Sequence, residues 1–231
     1  MDGRDVSRPG EVNIVTGEYA LRNAVIATAL AMNAANINRG KSGNVSTRWQ
    51  AAGFDGFLVT PTGLPYADTT PNDIVAVGLD GTVHGARLPS SEWRFHRDIY
   101  RQRPDATAIV HTHSPRATAL ACLRLPIPAF HYMVAVAGGH DIRCAPYATF
   151  GTQALSDHAL AALDGRRACL LANHGVIALG TTLKRALALA IEVENLADMY
   201  THALQLGTPV VLDHDEMRLV IEKFATYGQP G

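Results

Sequence analysis

The chain has 231 residues, 47% of them apolar and 18% charged, with a formal net charge of −1. That length suits one domain with one large core, and the composition is that of an ordinary globular protein. With no run of one sign and no apolar stretch near the roughly 20 residues of a membrane span, neither a nucleic-acid surface nor a membrane partner is indicated.

Residues 1–15 read as a flexible extension, and the opening MDGRDVSRPG has no apolar core of the kind a secretion signal needs. A cytoplasmic location is expected. From Glu18 to Asn36, the spacing of Leu21, Val25, Ala29 and Met32 predicts an amphipathic helix. A polar loop, Asn38 to Ser46, leads into a strand, and Ala52–Gly56 turns into a second strand, Phe57–Thr60. Another polar loop, Thr60-Pro61-Thr62-Gly63, follows at once. Asp73–Leu79 reads as a strand, with Asp80-Gly81 making a hairpin into Thr82–His84. Ser90-Ser91-Glu92 then opens a helix, the serines serving as N-cap, and this helix carries Trp93, His96 and Tyr100.

A strand over residues 107–113 comes next, then a short helix from Pro115 to Leu123. Ile142–Cys144 is a strand, Thr152–Leu163 a helix, and Cys169–Ala172 and Val176–Leu179 are strands around an Asn173-His174-Gly175 corner. The longest helix, Thr182–Leu206, shows an apolar stripe of Leu183, Ala186, Leu187, Ala190, Val193, Ala197, Tyr200 and Leu204. A last helix, Asp215–Phe224, precedes the tail 225–231. Short strands joined by turns, with helices between them, predict an α/β domain whose sheet is largely antiparallel and covered by helices. Cys122, Cys144 and Cys169 sit in apolar surroundings outside any C-x-x-C and read as buried reduced thiols.

Three groups could carry chemistry. His111 and His113 are two apart at the end of an apolar strand, so both imidazoles face one side. Such a pair can be polar residues at a sheet end or two metal ligands, and His174 at a strand corner is the third candidate. Three neutral imidazoles with an open fourth position suit a catalytic zinc ion. The remaining histidines, His96 among them, read as surface or structural residues.

Gly43-Asn44, Thr62-Gly63 and Ser90-Ser91 form the second group: small polar loops that are either ordinary turns and caps or, with their free N–H groups, an anion site. No nucleotide-binding glycine pattern is present. Glu92, the third, is either a residue that complements a helix dipole or a general acid/base.

Taken in order, Gly-Asn-Val-Ser, Thr-Pro-Thr-Gly, Pro-Ser-Ser-Glu-Trp-Arg-Phe-His, His-Thr-His and Asn-His-Gly-Val resemble the class II aldolase/adducin family. Within it the resemblance is closest to the L-fuculose-1-phosphate aldolases, and it extends from about Thr16 to Gly228. It implies a single three-layer domain with helices on both faces of the sheet, and zinc held by His111, His113 and His174. Glu92 is implied as acid/base, able to occupy the open position of the metal before substrate arrives. Gly43, Asn44, Thr62, Gly63, Ser90 and Ser91 are implied as the phosphate site. Tyr132 would reach the aldehyde end from a neighbouring subunit, Tyr227 would close over the site with the C-terminal tail, and Phe150 would shape the aldehyde pocket. The implied assembly is a homotetramer in a fourfold ring with sites at the interfaces.

The implied reaction is reversible cleavage of a ketose 1-phosphate, of L-fuculose 1-phosphate type, to dihydroxyacetone phosphate and an aldehyde such as L-lactaldehyde. A 5-deoxypentulose 1-phosphate is an alternative substrate, and a dehydratase of methylthioribulose 1-phosphate type an alternative reaction. Of the three lysines, Lys184 and Lys223 lie on predicted helices away from these motifs, which favours metal over imine chemistry. Lys41, Ser114-Pro115-Arg116 and Asn173 depart from the family pattern around the site and bear on the aldehyde partner.

Overall fold

A computed structural model describes residues 9–226. Eight strands form one sheet: β1 Asn44–Ala51, β2 Phe54–Val59, β3 Val75–Gly78, β4 Val83–His84, β5 Ala108–Thr112, β6 Cys144–Ala145, β7 Ala168–Leu171 and β8 Gly175–Gly180. Their spatial order is β4-β3-β2-β1-β5-β8-β7-β6, antiparallel throughout except for the β6–β7 pair. Six α-helices accompany it: α1 Pro9–Ala34, α2 Trp93–Gln102, α3 Pro115–Cys122, α4 Gln153–Ala162, α5 Leu183–Leu206 and α6 His214–Thr226.

The two-residue period of the strands sorts the core into two apolar layers. Val45, Leu58, Ala76, Val110, Leu170 and Val176 face α1, α3 and α5. Phe57, Val77, Ile109, Cys169 and Ile177 face the other way, against Phe95 and Ile99 of α2 and Leu155 and Ala159 of α4. The expected largely antiparallel α/β sheet with helices on both faces is therefore what forms. This alternation also fixes where the histidines go. His111 and His113 continue the parity of Ile109, so they belong to the α2 face.

Several boundaries differ from the sequence reading. Helix α1 begins at Pro9, so residues 9–15 are helical rather than a loose extension. Ser90-Ser91 is not the cap of α2: the N-cap position is held by Glu92, and the Ser90 hydroxyl instead accepts the Glu92 backbone N–H at 3.3 Å. This local turn frees the Glu92 side chain to point inward. A 3-10 helix, Tyr132–Ala137, occupies a stretch to which the sequence reading assigned no helix. In α5, Leu189 and Leu196 are buried while Leu204, in the last turn of the helix, is exposed. Cys169 is buried, and burial pushes its thiol up, but Cys122 is exposed. No described helix is long and apolar enough to cross a membrane.

Candidate active site

The site lies where β1 begins, β5 ends and β8 begins. Because these three strands are antiparallel neighbours, those ends coincide, and the ladder aligns Asn44 with His111 and His111 with Ile177. His174 sits one residue before β8, on a corner where Asn173 adopts a left-handed backbone (φ 55°). Gly175 follows. A Cβ there would meet the Thr112 carbonyl and come within 3.0 Å of the His113 ring and 3.3 Å of the His111 ring. The imidazoles occupy the space that its missing side chain leaves.

The three rings stand roughly perpendicular to one another, with centroids 4.9 to 5.0 Å apart and interplanar angles of 76 to 78°. His111 Nε2 is 3.1 Å from His113 Nε2 and 3.1 Å from Glu92 Oε2; His174 Nε2 is 3.0 Å from Glu92 Oε1. One potential ligand atom from each of these four residues lies within 4.8 Å of the others. His111 Nδ1 donates to the Val176 carbonyl at 2.8 Å, which leaves the Nε2 lone pair facing the other two rings.

Electrostatics fit the same arrangement. Burial, followed by the neighbouring rings of His111 and His174, pushes His113 down to about 3, so it is neutral at physiological pH. Burial would raise the Glu92 carboxyl, but His111 and His174 beside it hold it well below the usual carboxylate range. Glu92 Oε1 is buried with no hydrogen-bond partner among the described residues. Converging imidazole lone pairs, an ionised carboxylate and an unsatisfied oxygen are the donor set that a divalent cation requires, and leaving that oxygen unpaired is otherwise costly. These residues fit a metal ion.

A family model described as "Class II Aldolase and Adducin N-terminal domain" matches residues 23–201. The chain belongs to that family, and it is a class II aldolase. A 5-methylthioribulose-1-phosphate/5-deoxyribulose-1-phosphate aldolase of Rhodospirillum rubrum is 58% identical over 90% of this chain and 93% of the relative. An L-fuculose phosphate aldolase of Escherichia coli K12 is 50% identical over 90% of this chain and 95% of that one. A solved structure of an L-fuculose 1-phosphate aldolase superposes with a TM-score of 0.84 at 42% identity, covering 89% of this chain and 96% of its own.

The aldolase brings the three polar loops together beside this centre. Pro61 bridges to Pro89, Thr62 N–H donates to the Leu88 carbonyl at 3.1 Å, and Ser90 N–H to the Thr60 carbonyl at 3.0 Å. Lys41 Nζ donates to the Gly63 carbonyl at 2.6 Å, joining the Gly43 loop to the Thr62-Gly63 loop. Gly43 packs too tightly on the His111 carbonyl and Asn38 to carry a side chain, and the Tyr66 hydroxyl donates to its carbonyl.

The cleft itself is lined by Ser42, Ser91, Glu92, His113, Tyr147, Phe150, Asn173 and His174. Phe150 is thus one of the residues lining the cleft. Tyr132 is not: it starts the 3-10 helix, is half exposed and stacks on Phe224 at 6.3 Å. Tyr227 lies outside the described residues.

Sequence reasoning gave no role to Tyr147, an exposed aromatic three residues before Phe150. His96, read as a surface or structural residue, is wholly buried and packed against Phe95. Its spacing of four from Glu92 places the two one helical turn apart, but that spacing does not show its partners Asn44 and Ser46. Asn38 was missed too. Its side chain accepts from the His113 backbone N–H at 3.4 Å and from Ser42 Oγ at 3.3 Å, bracing the chain beside the ligands.

Proposed function

We propose that this aldolase reversibly cleaves a ketose 1-phosphate to dihydroxyacetone phosphate and a short aldehyde. The observation that carries this is the convergence of Glu92 on three histidines, at a cleft bordered by N–H-rich loops. His111, His113 and His174 would hold zinc, which when bound supplies Lewis acidity toward the negative charge left on the ketose as its C3–C4 bond breaks.

The protein does the rest. Gly43, Asn44, Thr62, Gly63, Ser90 and Ser91 bind the phosphate, Thr62 and Ser90 through their hydroxyls because their N–H groups are held by the Leu88 and Thr60 carbonyls, with Lys41 adding the positive charge that these neutral groups lack. Glu92, ionised and buried, takes and returns the proton at the carbon that becomes the hydroxymethyl group of dihydroxyacetone phosphate. Phe150 and Tyr147 exclude water from the aldehyde end. Tyr132 and Tyr227 serve the proton at the aldehyde oxygen, Tyr132 from a neighbouring subunit of a fourfold ring. Support for that reading is the half-exposed position of Tyr132 outside the cleft of its own chain.

For substrate, we favour 5-deoxypentulose 1-phosphates alongside L-fuculose 1-phosphate, since relatives with both activities match nearly the whole chain. All of these sugars would present a small apolar tail to Phe150 and Tyr147. The test is product analysis on a panel of ketose 1-phosphates with metal content measured on the same sample. Dihydroxyacetone phosphate from one of these sugars is expected. Loss of water without dihydroxyacetone phosphate would overturn the aldolase reading in favour of a dehydratase.

A further inference from the structure

A chain of four hydrogen bonds runs from the interior of the α2 layer to Glu92, and the reaction as described above leaves most of it unused. The Tyr100 hydroxyl is 2.8 Å from Ser46 Oγ, which is 2.7 Å from His96 Nδ1. His96 Nε2 is 2.5 Å from Asn44 Oδ1, and Asn44 Nδ2 donates to Glu92 Oε2 at 2.9 Å. Every member is buried, Ser46 and His96 completely.

The direction of each bond follows from the carboxylate. An ionised Glu92 can only accept, so the Asn44 amide must present its NH2 group to Oε2. Its carbonyl oxygen then faces His96, so His96 Nε2 must carry the proton. Nδ1 is left as an acceptor and takes the Ser46 hydroxyl, and Ser46 Oγ in turn takes the Tyr100 hydroxyl. Nothing along the line is left with a choice, because a buried donor facing a donor costs about 1–3 kcal/mol.

We propose that His96 is a positioning residue for Glu92: by holding the Asn44 amide in one orientation, it commits Oε2 as a hydrogen-bond acceptor and leaves Oε1 as the oxygen that exchanges a proton with substrate. The proposal rests on the aldolase reading, because it concerns the proton step of Glu92. Oε1 receives no amide hydrogen bond among the described residues and faces only the His174 ring, whose Nε2 is 3.0 Å away. Without His96 the amide is free to flip and to present its oxygen to the carboxylate, a repulsive contact. The location of His96 against Phe95 at 4.5 Å and Phe57 at 6.3 Å makes Phe a close replacement for its ring.

The test uses the zinc-loaded full chain and dihydroxyacetone phosphate alone in D2O. Glu92 removes one proton from the hydroxymethyl carbon, the electron pair stays with the substrate, and a deuteron from solvent returns, replacing C–H by C–D with no net reaction. His96→Phe should slow this exchange and kcat for cleavage by roughly 10- to 100-fold, with KM and bound metal unchanged. His96→Gln, whose amide can still donate to Asn44, should recover most of the rate.

Because His96→Phe can fail to fold, Ser46→Ala and Tyr100→Phe provide a graded series with smaller losses, Ser46→Ala the larger of the two. A second readout is independent of activity: nitrogen NMR of the histidine-labelled wild type should find His96 protonated on Nε2 and bare on Nδ1. The opposite tautomer, or folded variants that exchange at the wild-type rate, would overturn the proposal. A wild type that exchanges no deuterium at all would remove the aldolase reading itself, and this inference with it.

Discussion

Asn44 stands directly across the β1–β5 ladder from His111. One rung of the sheet therefore carries both the amide that holds Glu92 and an imidazole that lies against the same carboxylate oxygen. The acid/base and the metal ligands share a frame, so displacing one strand end by a single residue disturbs both.

Removal of the metal tests the ligand set. Dialysis against a chelator should abolish cleavage, and added zinc should restore it. His174→Ala should lose metal and at least about 1,000-fold in kcat/KM, since Lewis-acid stabilisation is worth several kcal/mol. Metal analysis on the variant separates the two effects. Cleavage that survives complete metal removal would argue against the site.

Glu92→Gln keeps the size of the side chain and the contact with Asn44 while removing the base. Turnover should fall roughly 100- to 10,000-fold, with zinc still bound. Metal content measured beside kcat makes the point, because loss of zinc in this variant would mean that Glu92 is chiefly a ligand.

Lys41 spans two of the polar loops through its bond to Gly63. Lys41→Met should raise KM for a ketose 1-phosphate roughly tenfold, in line with about 1–2 kcal/mol for a charge-assisted bond to phosphate, and leave kcat near that of the wild type. Inhibition by inorganic phosphate should weaken in parallel. It should also lose much of its salt dependence.

Gly175→Ala pushes a methyl group toward the Thr112 carbonyl and two imidazoles. Overpacking of this kind costs about 1–3 kcal/mol, and the rings have to move to accommodate it. Reduced zinc affinity by competition with a chromogenic chelator is the expected result, together with a lower melting temperature.

The pH dependence of stability has a defined sign at His96. Burial, followed by the nearby His111, lowers this residue to about 3 from an ordinary 6.5. Between those values the unfolded chain binds a proton that the native chain does not, so stability is complete above about pH 6.5 and falls as the pH drops toward 3. Each unit below about pH 5.5 costs roughly 1.4 kcal/mol for such a group. Denaturant titrations from pH 7 to pH 5 on the wild type and His96→Gln should differ in slope by up to one proton.

Much of this was readable from residue order alone. The short apolar runs of β5, β7 and β8, set between turns, and the apolar stripe of α5 predicted an α/β sheet covered by helices, because strands buried on both faces are apolar at nearly every position. His111 and His113 were legible because parity on a strand puts them on one side. His96 was not, since its partners Asn44 and Ser46 come from a strand about 50 positions away, and helical spacing says nothing about what lies opposite. The cap of α2 was misplaced because Ser90 bonds to the N–H two residues on, a local alternative that composition cannot separate from an N-cap. The 3-10 helix at Tyr132 was missed because its six residues carry too short a period to register.

Strand β8 is the last of the eight to be made, yet it lies in the middle of the sheet, between β5 and β7. During synthesis those two strands are complete before it exists, and neither can pair with the other in its place without excluding it. The third histidine arrives with this final insertion. A bound ion is therefore a report that the sheet has closed in the right order, and chains misassembled around the gap would be recognisable by their inability to retain one.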